Sequence, residues 1–365
     1  MKWNTTYIIG KLILCVGMML LLTTCTEDSM QDGENTDLLQ LVGLNTELLT
    51  EQTRLTNYAD YREYNTEFLK RTLESGAVSM GVFMSSISGE VSPLSRFVYL
   101  GTTQDEWESM VEVKQGVVYY LYGYMPVEAG GSASVEKLET TANYADGAIL
   151  TLSGISPVSE YDVCVISGVH DVTNSGDLEQ GKYEYVGKEK GNNRVQIMLD
   201  HLYASIYVDM KVDAQYNDLR TIKLKKVSLA STAVGKVNAA LTLRANELYQ
   251  VNWGKMTGTA ESRPFYEHEE GLTLSTTATT QPMYGYFAPI SDVANSLTLV
   301  CTYDVYDKKG NLLRKDCTAA NRLSTLFSNL RAGEQQRFHL TVSPTYLYQL
   351  SDADLDNPTF TVVNN

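Results

Sequence analysis

The sequence contains no Gly-x-Ser-x-Gly, no His-Glu-x-x-His and no phosphate-cradling glycine loop, so common signatures of serine hydrolases, zinc proteases and nucleotide enzymes are missing. Histidine is scarce: there are four, His170, His201, His268 and His339. His201 sits beside an expected strand break and His339 points outward by alternation, so both read as ordinary surface or edge residues. No Cys-x-x-Cys or Cys/His spacing suggests zinc. Carboxylate pairs such as Asp352/Asp354 and Glu269/Glu270 fall in expected loops, as solvated acidic linkers rather than glycosidase or calcium chemistry. The expectation is a chain with no catalytic residues, no metal and no cofactor. Cations are also few: 29 Lys and Arg against 44 Asp and Glu give a formal charge of −15. That balance excludes an extended basic face for nucleic acid or for anionic lipid. No fixed-period repeat is visible, which argues against a propeller or solenoid.

Long apolar runs are also rare, and the longest has a position that explains it. Lys2 and Lys11 precede Leu12 to Leu22, a stretch without charge that ends in Leu22-Thr23-Thr24-Cys25. The run is too short to span a bilayer, which takes ~20 residues. A basic start, a short apolar centre and small residues before the cut define residues 1–24 as an export signal. The Leu-Thr-Thr-Cys25 ending resembles the bacterial lipobox, which predicts acylation of Cys25 and attachment to outer-membrane lipid. Thr26-Glu27-Asp28-Ser29 resembles the surface-export signal of Bacteroidales lipoproteins.

What the chain has in excess is tyrosine, 24 against 8 Phe, with abundant Thr, Ser and Val. A tyrosine packs its ring and wets its hydroxyl, which suits half-buried strands. The chain is therefore expected to be all-β. Residues 25–54 carry seven carboxylates and one arginine around the apolar stretch Leu38 to Leu44, and form a separable prosegment.

Strands are expected over 78–86, 96–100, 117–124, 148–152 and 161–167 in a first domain, 55–190. Both faces of Val117 to Tyr124 are apolar, so that strand should be central. The Gly-, Asn- and charge-rich stretch 171–193 reads as a boundary. In a second domain, 191–345, the apolar parity changes near Asp200-His201, which calls for a bulge or a break. Further strands are expected over 219–229, 237–243, 272–274, 283–287, 297–306 and 338–342. Many short strands with polar turns indicate Greek-key sandwiches rather than a parallel sheet. Residues 346–365 form a C-terminal extension whose last part, Thr359, Phe360, Thr361, Val362 and Val363, is an extended β-former able to join its own sheet or another chain's.

Three cysteines fall outside the leader and lipobox. Cys301 and Cys317 flank a hairpin around Lys308-Lys309-Gly310, where pairing Asp307 with Asn311 would bring Cys301 opposite Cys317. An oxidising compartment could close that bridge; equally, both thiols could face a core. Cys164 is expected to be buried.

Four features in this order resemble the fimbrillins of Bacteroidales, the type V pilins. They are the Leu-Thr-Thr-Cys25 lipobox, the Val195 to Val212 stretch with its Asp-His-Leu-Tyr-Ala centre, the Leu330-Arg-Ala-Gly333 to Val342 stretch, and the tail from Pro344 to Pro358. The resemblance spans nearly the whole chain. It implies two tandem transthyretin-like Greek-key β-sandwich domains, and a fimbrial subunit at the cell surface that supports adhesion. It further implies an N-terminal strand removed by a trypsin-like protease, and polymerisation with other fimbrillin subunits by strand exchange. Arg54 is then the expected cleavage site, with Arg62 and Arg71 as alternatives, and Thr359–Val363 the donor strand. A helix over 53–73 would blur that junction. The alternatives are an anchor or tip fimbrillin, or a non-polymerising surface lipoprotein that binds glycan.

Overall fold

The computed structural model describes residues 36–46, 78–87, 89–100, 106–138, 143–232, 235–279, 283–323, 331–346 and 353–363. Cys25, Arg54, Arg62, Arg71 and the possible helix over 53–73 lie outside the described residues. Among the described residues the chain is nearly all β. In chain order the strands begin with β1 (Thr36–Leu38), β2 (Gln40–Thr46), β3 (Ser79–Ser86), β4 (Ser95–Tyr99), β5 (Trp107–Ser109), β6 (Glu112–Lys114), β7 (Val118–Met125) and β8 (Ser132–Lys137). They continue with β9 (Gly147–Ile155), β10 (Val158–Ser159), β11 (Cys164–Asp171), β12 (Glu184–Val186), β13 (Arg194–His201), β14 (Ala204–Val212), β15 (Thr221–Ser231) and β16 (Val237–Arg244). The last are β17 (Gln250–Trp253), β18 (Glu261–Thr273), β19 (Met283–Phe287), β20 (Thr298–Tyr306), β21 (Leu312–Arg322), β22 (Gln335–Tyr346) and β23 (Ala353–Val363). Two short helices, α1 (Ala214–Leu219) and α2 (Ser291–Ser296), join strands of the second half.

Two hydrophobic cores each lie between two sheets. The first is enclosed by a sheet of order β2-β13-β11-β7-β3-β4-β5, with β12 also on β7, and by a four-stranded sheet of order β17-β16-β9-β8. Met80, Val82, Tyr122, Val195 and Ile197 from one side meet Leu150, Leu152, Ala239 and Leu241 from the other. The second core lies between the orders β10-β19-β14-β22-β23 and β18-β15-β20-β21. There Ile206, Val208, Phe338 and Leu340 face Leu224, Leu229, Leu299 and Tyr303.

The tyrosine-rich β7 is central, flanked by β3 and β11, as its two apolar faces require. Tyr122 is fully buried, and its hydroxyl donates to the Tyr144 carbonyl at 2.7 Å, so the polar end is satisfied inside the core. The parity change near Asp200 is a strand break. β13 ends at His201 in the first core, and β14 starts at Ala204 in the second.

Strand pairing crosses the division expected at residues 190/191. β13 pairs antiparallel with β11, and β16 returns from the second half to pair with β9. The stretch 171–193 also holds more structure than its composition suggests. Tyr183 and Tyr185 are buried, and β12 pairs with β7, because the alternation Tyr183-Glu184-Tyr185 presents two rings to the core between charged neighbours.

The β20–β21 hairpin keeps its expected loop: Gly310 has φ 85° and the Asp307 amide donates to the Asn311 carbonyl at 3.0 Å. Its register differs from expectation. Irregularities between Tyr303 and Val305 and between Val305 and Tyr306 place Cys301 opposite Ala319 and Cys317 opposite Tyr303. Asp316, at φ 51°, turns its amide to the Asp304 carboxylate within the first of these irregularities. Both thiols are free. Such diagonal neighbours stand ~7–8 Å apart, beyond the Cα separation a disulfide accepts.

Two glycines test the close approach of β3 and β7. A Cβ on Gly123 would lie 2.0 Å from the Gly81 carbonyl oxygen, whereas one on Gly43 would meet only Gln196 side-chain atoms at 3.6 Å. In urea unfolding, Gly123→Ala is expected to lose at least ~2 kcal/mol, while Gly43→Ala stays within ~0.5 kcal/mol of the parent. Equal effects at both positions would refute this packing.

Candidate strand-docking groove

The segment 36–46 bridges β6, with which β1 forms a two-stranded sheet, and β13, on which β2 forms the edge of the first sheet. β1 pairs antiparallel with β6, from Thr36 opposite Lys114 to Leu38 opposite Glu112. The chain then switches sides, and β2 runs parallel to β13 from Gln40 opposite Arg194 to Thr46 opposite Leu199. Between them the Leu39 amide donates to the Val111 carbonyl and the Gln40 amide to the Asn193 carbonyl, each at 2.8 Å. The segment thereby satisfies main-chain groups on both walls at once.

Its side chains explain the seating. Leu39 is fully buried and Leu41 is 6% exposed, while Leu38 and Val42 point to solvent. The register shifts by one residue between Val195 and Gln196, leaving Val42 as the extra residue and returning Leu44 to the core side. The groove beneath is apolar: Val111, Val113, Val195, Ile197 and Leu199 are each at most 1% exposed. Burying Leu39 and Leu41 contributes roughly 3–6 kcal/mol at ~1.5–3 kcal/mol per side chain.

A polar latch fixes the start of the segment. The Asp37 carboxylate accepts from the Gly191 amide at 2.7 Å and from Asn193 Nδ2 at 2.9 Å. Asn193 is itself buried, and its Oδ1 accepts from the Tyr185 hydroxyl at 3.0 Å and the Lys188 amide at 2.7 Å. The Asn193 hydrogen bond, followed by that of the Gly191 amide, holds the Asp37 carboxyl below its ordinary value.

The expected donor strand occupies its own fold here. Thr359–Val363 form the end of β23, antiparallel to β22, with Phe360 opposite Val342 and Val363 opposite His339. Phe360 is 2% exposed, and its ring centroid lies 4.7 Å from that of Tyr303 in the second core. The expected cleavage positions Arg54, Arg62 and Arg71 all fall between β2 and β3 in sequence, so a cut at any of them severs β1 and β2 from the rest of the chain.

The sequence reading missed one cluster. His201 is not a surface or edge residue: it is 3% exposed, with Nδ1 2.5 Å from the Asp162 carboxylate and 3.5 Å from Cys164 Sγ. Only the cross-strand register that sets Cys164 opposite His201 brings residues so distant in sequence together. His339, by contrast, is half-buried and pairs with Asp209 at 2.7 Å.

No protein-family profile and no curated protein matches the chain. Among solved structures it resembles a fimbrial protein of Bacteroides vulgatus, with 12% identity and TM-score 0.37 over 88% of this chain and 97% of that one. A provisionally assigned cell adhesion protein of Bacteroides fragilis gives 11% identity and TM-score 0.41 over 90% and 98%. The fimbrial anchor protein Mfa2 of Porphyromonas gingivalis gives 9% and 0.27 over 88% and 94%. Scores at this level carry neither residue roles nor domain assignments across.

The latch generates a pH prediction. Because the folded Asp37 lies below its ordinary 3.8, its contribution is complete above that value and lost as pH falls through the folded one. After a cut between β2 and β3, retention of the 36–46 segment on the isolated protein is expected to weaken below pH ~4, an acid dependence that Asp37→Asn flattens. Segment release measured by size exclusion and mass spectrometry checks this; unchanged acid dependence in Asp37→Asn would remove Asp37 from the latch.

Proposed function

We propose that the chain is a structural subunit of a cell-surface fimbria, exported as a lipoprotein through Cys25. In this reading a trypsin-like protease cuts after Arg54, or after Arg62 or Arg71, and releases the segment that carries the lipid. An extended strand of another subunit then enters the vacated groove and builds the polymer by strand addition. The observation that carries the reading is the seating of residues 36–46. A short segment fills an apolar groove on the first sheet, and every expected cleavage position follows it in sequence before β3, the next strand among the described residues. Removing it uncovers a row of unpaired β13 groups over Val195, Ile197 and Leu199, which is a template for an incoming strand. The two cores are consistent with tandem sandwich domains, and the transthyretin-like topology is part of the proposal.

A second reading within the same class is favoured by the tail. Because β23 lies on its own β22 with Phe360 in the second core, the chain can accept a strand without having one to donate. Such a subunit ends a filament, as an anchor or a tip.

Both readings are tested on the purified full chain treated with trypsin, with the new N-terminus sequenced and the product sized. A repeating stalk subunit is expected to give higher-order species that disappear in a chain ending at Asp356. An end subunit gives a cut monomer that still takes up one partner subunit through the groove. A cut chain that has lost residues 36–46, stays monomeric and binds no added subunit would overturn strand exchange altogether.

A further inference from the structure

The structure assigns a zinc-class metal site to Asp162, Cys164 and His201, at the point where the chain passes from the first core to the second. Their ligand atoms all lie within 4.8 Å of one another. The three side chains are 1%, 2% and 3% exposed, so solvated carboxylates do not account for the cluster. Its geometry follows from the strands. Asp162 lies two residues before Cys164, the first residue of β11, and Cys164 is the direct cross-strand neighbour of His201.

The donor set is one thiolate, one imidazole and one carboxylate, the mixture a borderline-soft divalent ion takes. With His201 neutral, a dication is balanced by the Cys164 thiolate and the Asp162 carboxylate, so the loaded site carries no net charge into the core. Bonds of ~2.0 Å to N and O and ~2.3 Å to S, at tetrahedral angles, space ligand atoms ~3.3–3.6 Å apart. The Cys164 Sγ to His201 Nδ1 distance is already 3.5 Å. The Nδ1 to Asp162 Oδ2 distance of 2.5 Å must open by ~0.8 Å to reach that spacing as the shared proton gives way to the ion. On binding, the Cys164 S–H bond breaks and its proton passes to solvent as the metal–sulfur bond forms. The proton that His201 Nδ1 shares with Asp162 is exchanged through solvent to Nε2, so the ring stays neutral and Nδ1 is freed for the ion, and the three side chains leave the fourth position open. No electron is transferred.

The position gives the ion a role. Cys164 belongs to the first core, while Ala204, three residues beyond His201, is already in the second. A metal here pins β11 to the end of β13 and stiffens the joint between the two cores.

The test uses the full chain, unfolded in chelator and refolded with Zn²⁺ or with Co²⁺ as a spectroscopic probe. Elemental analysis is expected to give one ion per folded chain, and the Co²⁺ form a near-ultraviolet thiolate charge-transfer band. Cys164→Ser abolishes that band. His201→Gln, which can still hydrogen-bond Asp162, drops the stoichiometry at least tenfold while circular dichroism shows an intact β fold. A folded parent chain that takes up no stoichiometric ion would overturn the site and leave an Asp-His pair with a buried thiol. So would metal content unchanged in both variants.

Discussion

The structure depends on one constraint: a single chain must leave one hydrophobic core and enter another without stranding buried main-chain groups. It does so between His201 and Ala204, where main-chain groups along the passage find partners. The Leu202 amide donates to the Val163 carbonyl at 2.7 Å, the Tyr249 hydroxyl to the His201 carbonyl at 2.9 Å, and the Gly333 amide to the Tyr203 carbonyl at 2.9 Å. The Tyr203 hydroxyl donates to the Ser156 carbonyl. These bonds tie the passage to residues from 156 to 333, which is why the cores do not divide the sequence into two consecutive halves. An unsatisfied amide at such a place would cost ~1–3 kcal/mol, a substantial part of a domain's net stability.

Local pattern made much of this legible. Alternation located β3, β7, β13, β14, β16, β19 and β20, because each buries at least one regular face. The parity change at Asp200 marked a bulge or break, and that break is the passage between the cores. What local pattern could not deliver was partnership. Nothing near Val237 says that β16 returns to β9, and nothing near Cys164 says that His201 will stand beside it. The β20–β21 register failed for a different reason. The loop was correct, but two one-residue irregularities, one of them around Asp316 at φ 51°, slid one strand against the other and separated the two cysteines. Tyr183 and Tyr185 were hidden because their neighbours Lys182 and Glu184 made a short buried strand resemble a linker.

The candidate groove was partly legible. The apolar stretch from Leu38 to Leu44 stood out against an acidic background. Which of its leucines are inside depends on the one-residue offset at Val42, and the sequence gives no sign of that offset. The Asp37 latch was invisible, since its partners Gly191 and Asn193 come from a stretch over 150 residues away. The tail was legible as a strand and not as to its partner, because Phe360 suits any apolar groove and only the fold reveals that its own core supplies one.

On the proposed reading, proteolysis acts on the groove without touching it. While residues 36–46 remain joined to β3, their effective concentration at the groove is set by the connecting chain, of order mM for a flexible connection. After a cut the same contacts form a bimolecular complex, and the segment's occupancy falls as it is diluted. Two buried leucines and a carboxylate latch then compete with any strand that can bury larger side chains against Val195 and Ile197. A lipid on the segment sharpens the competition, since it holds the departing strand at the membrane while the rest of the protein is free to move away. The groove's affinity is unchanged by the cut; what changes is the concentration of its first occupant, and that is sufficient to let a second one in.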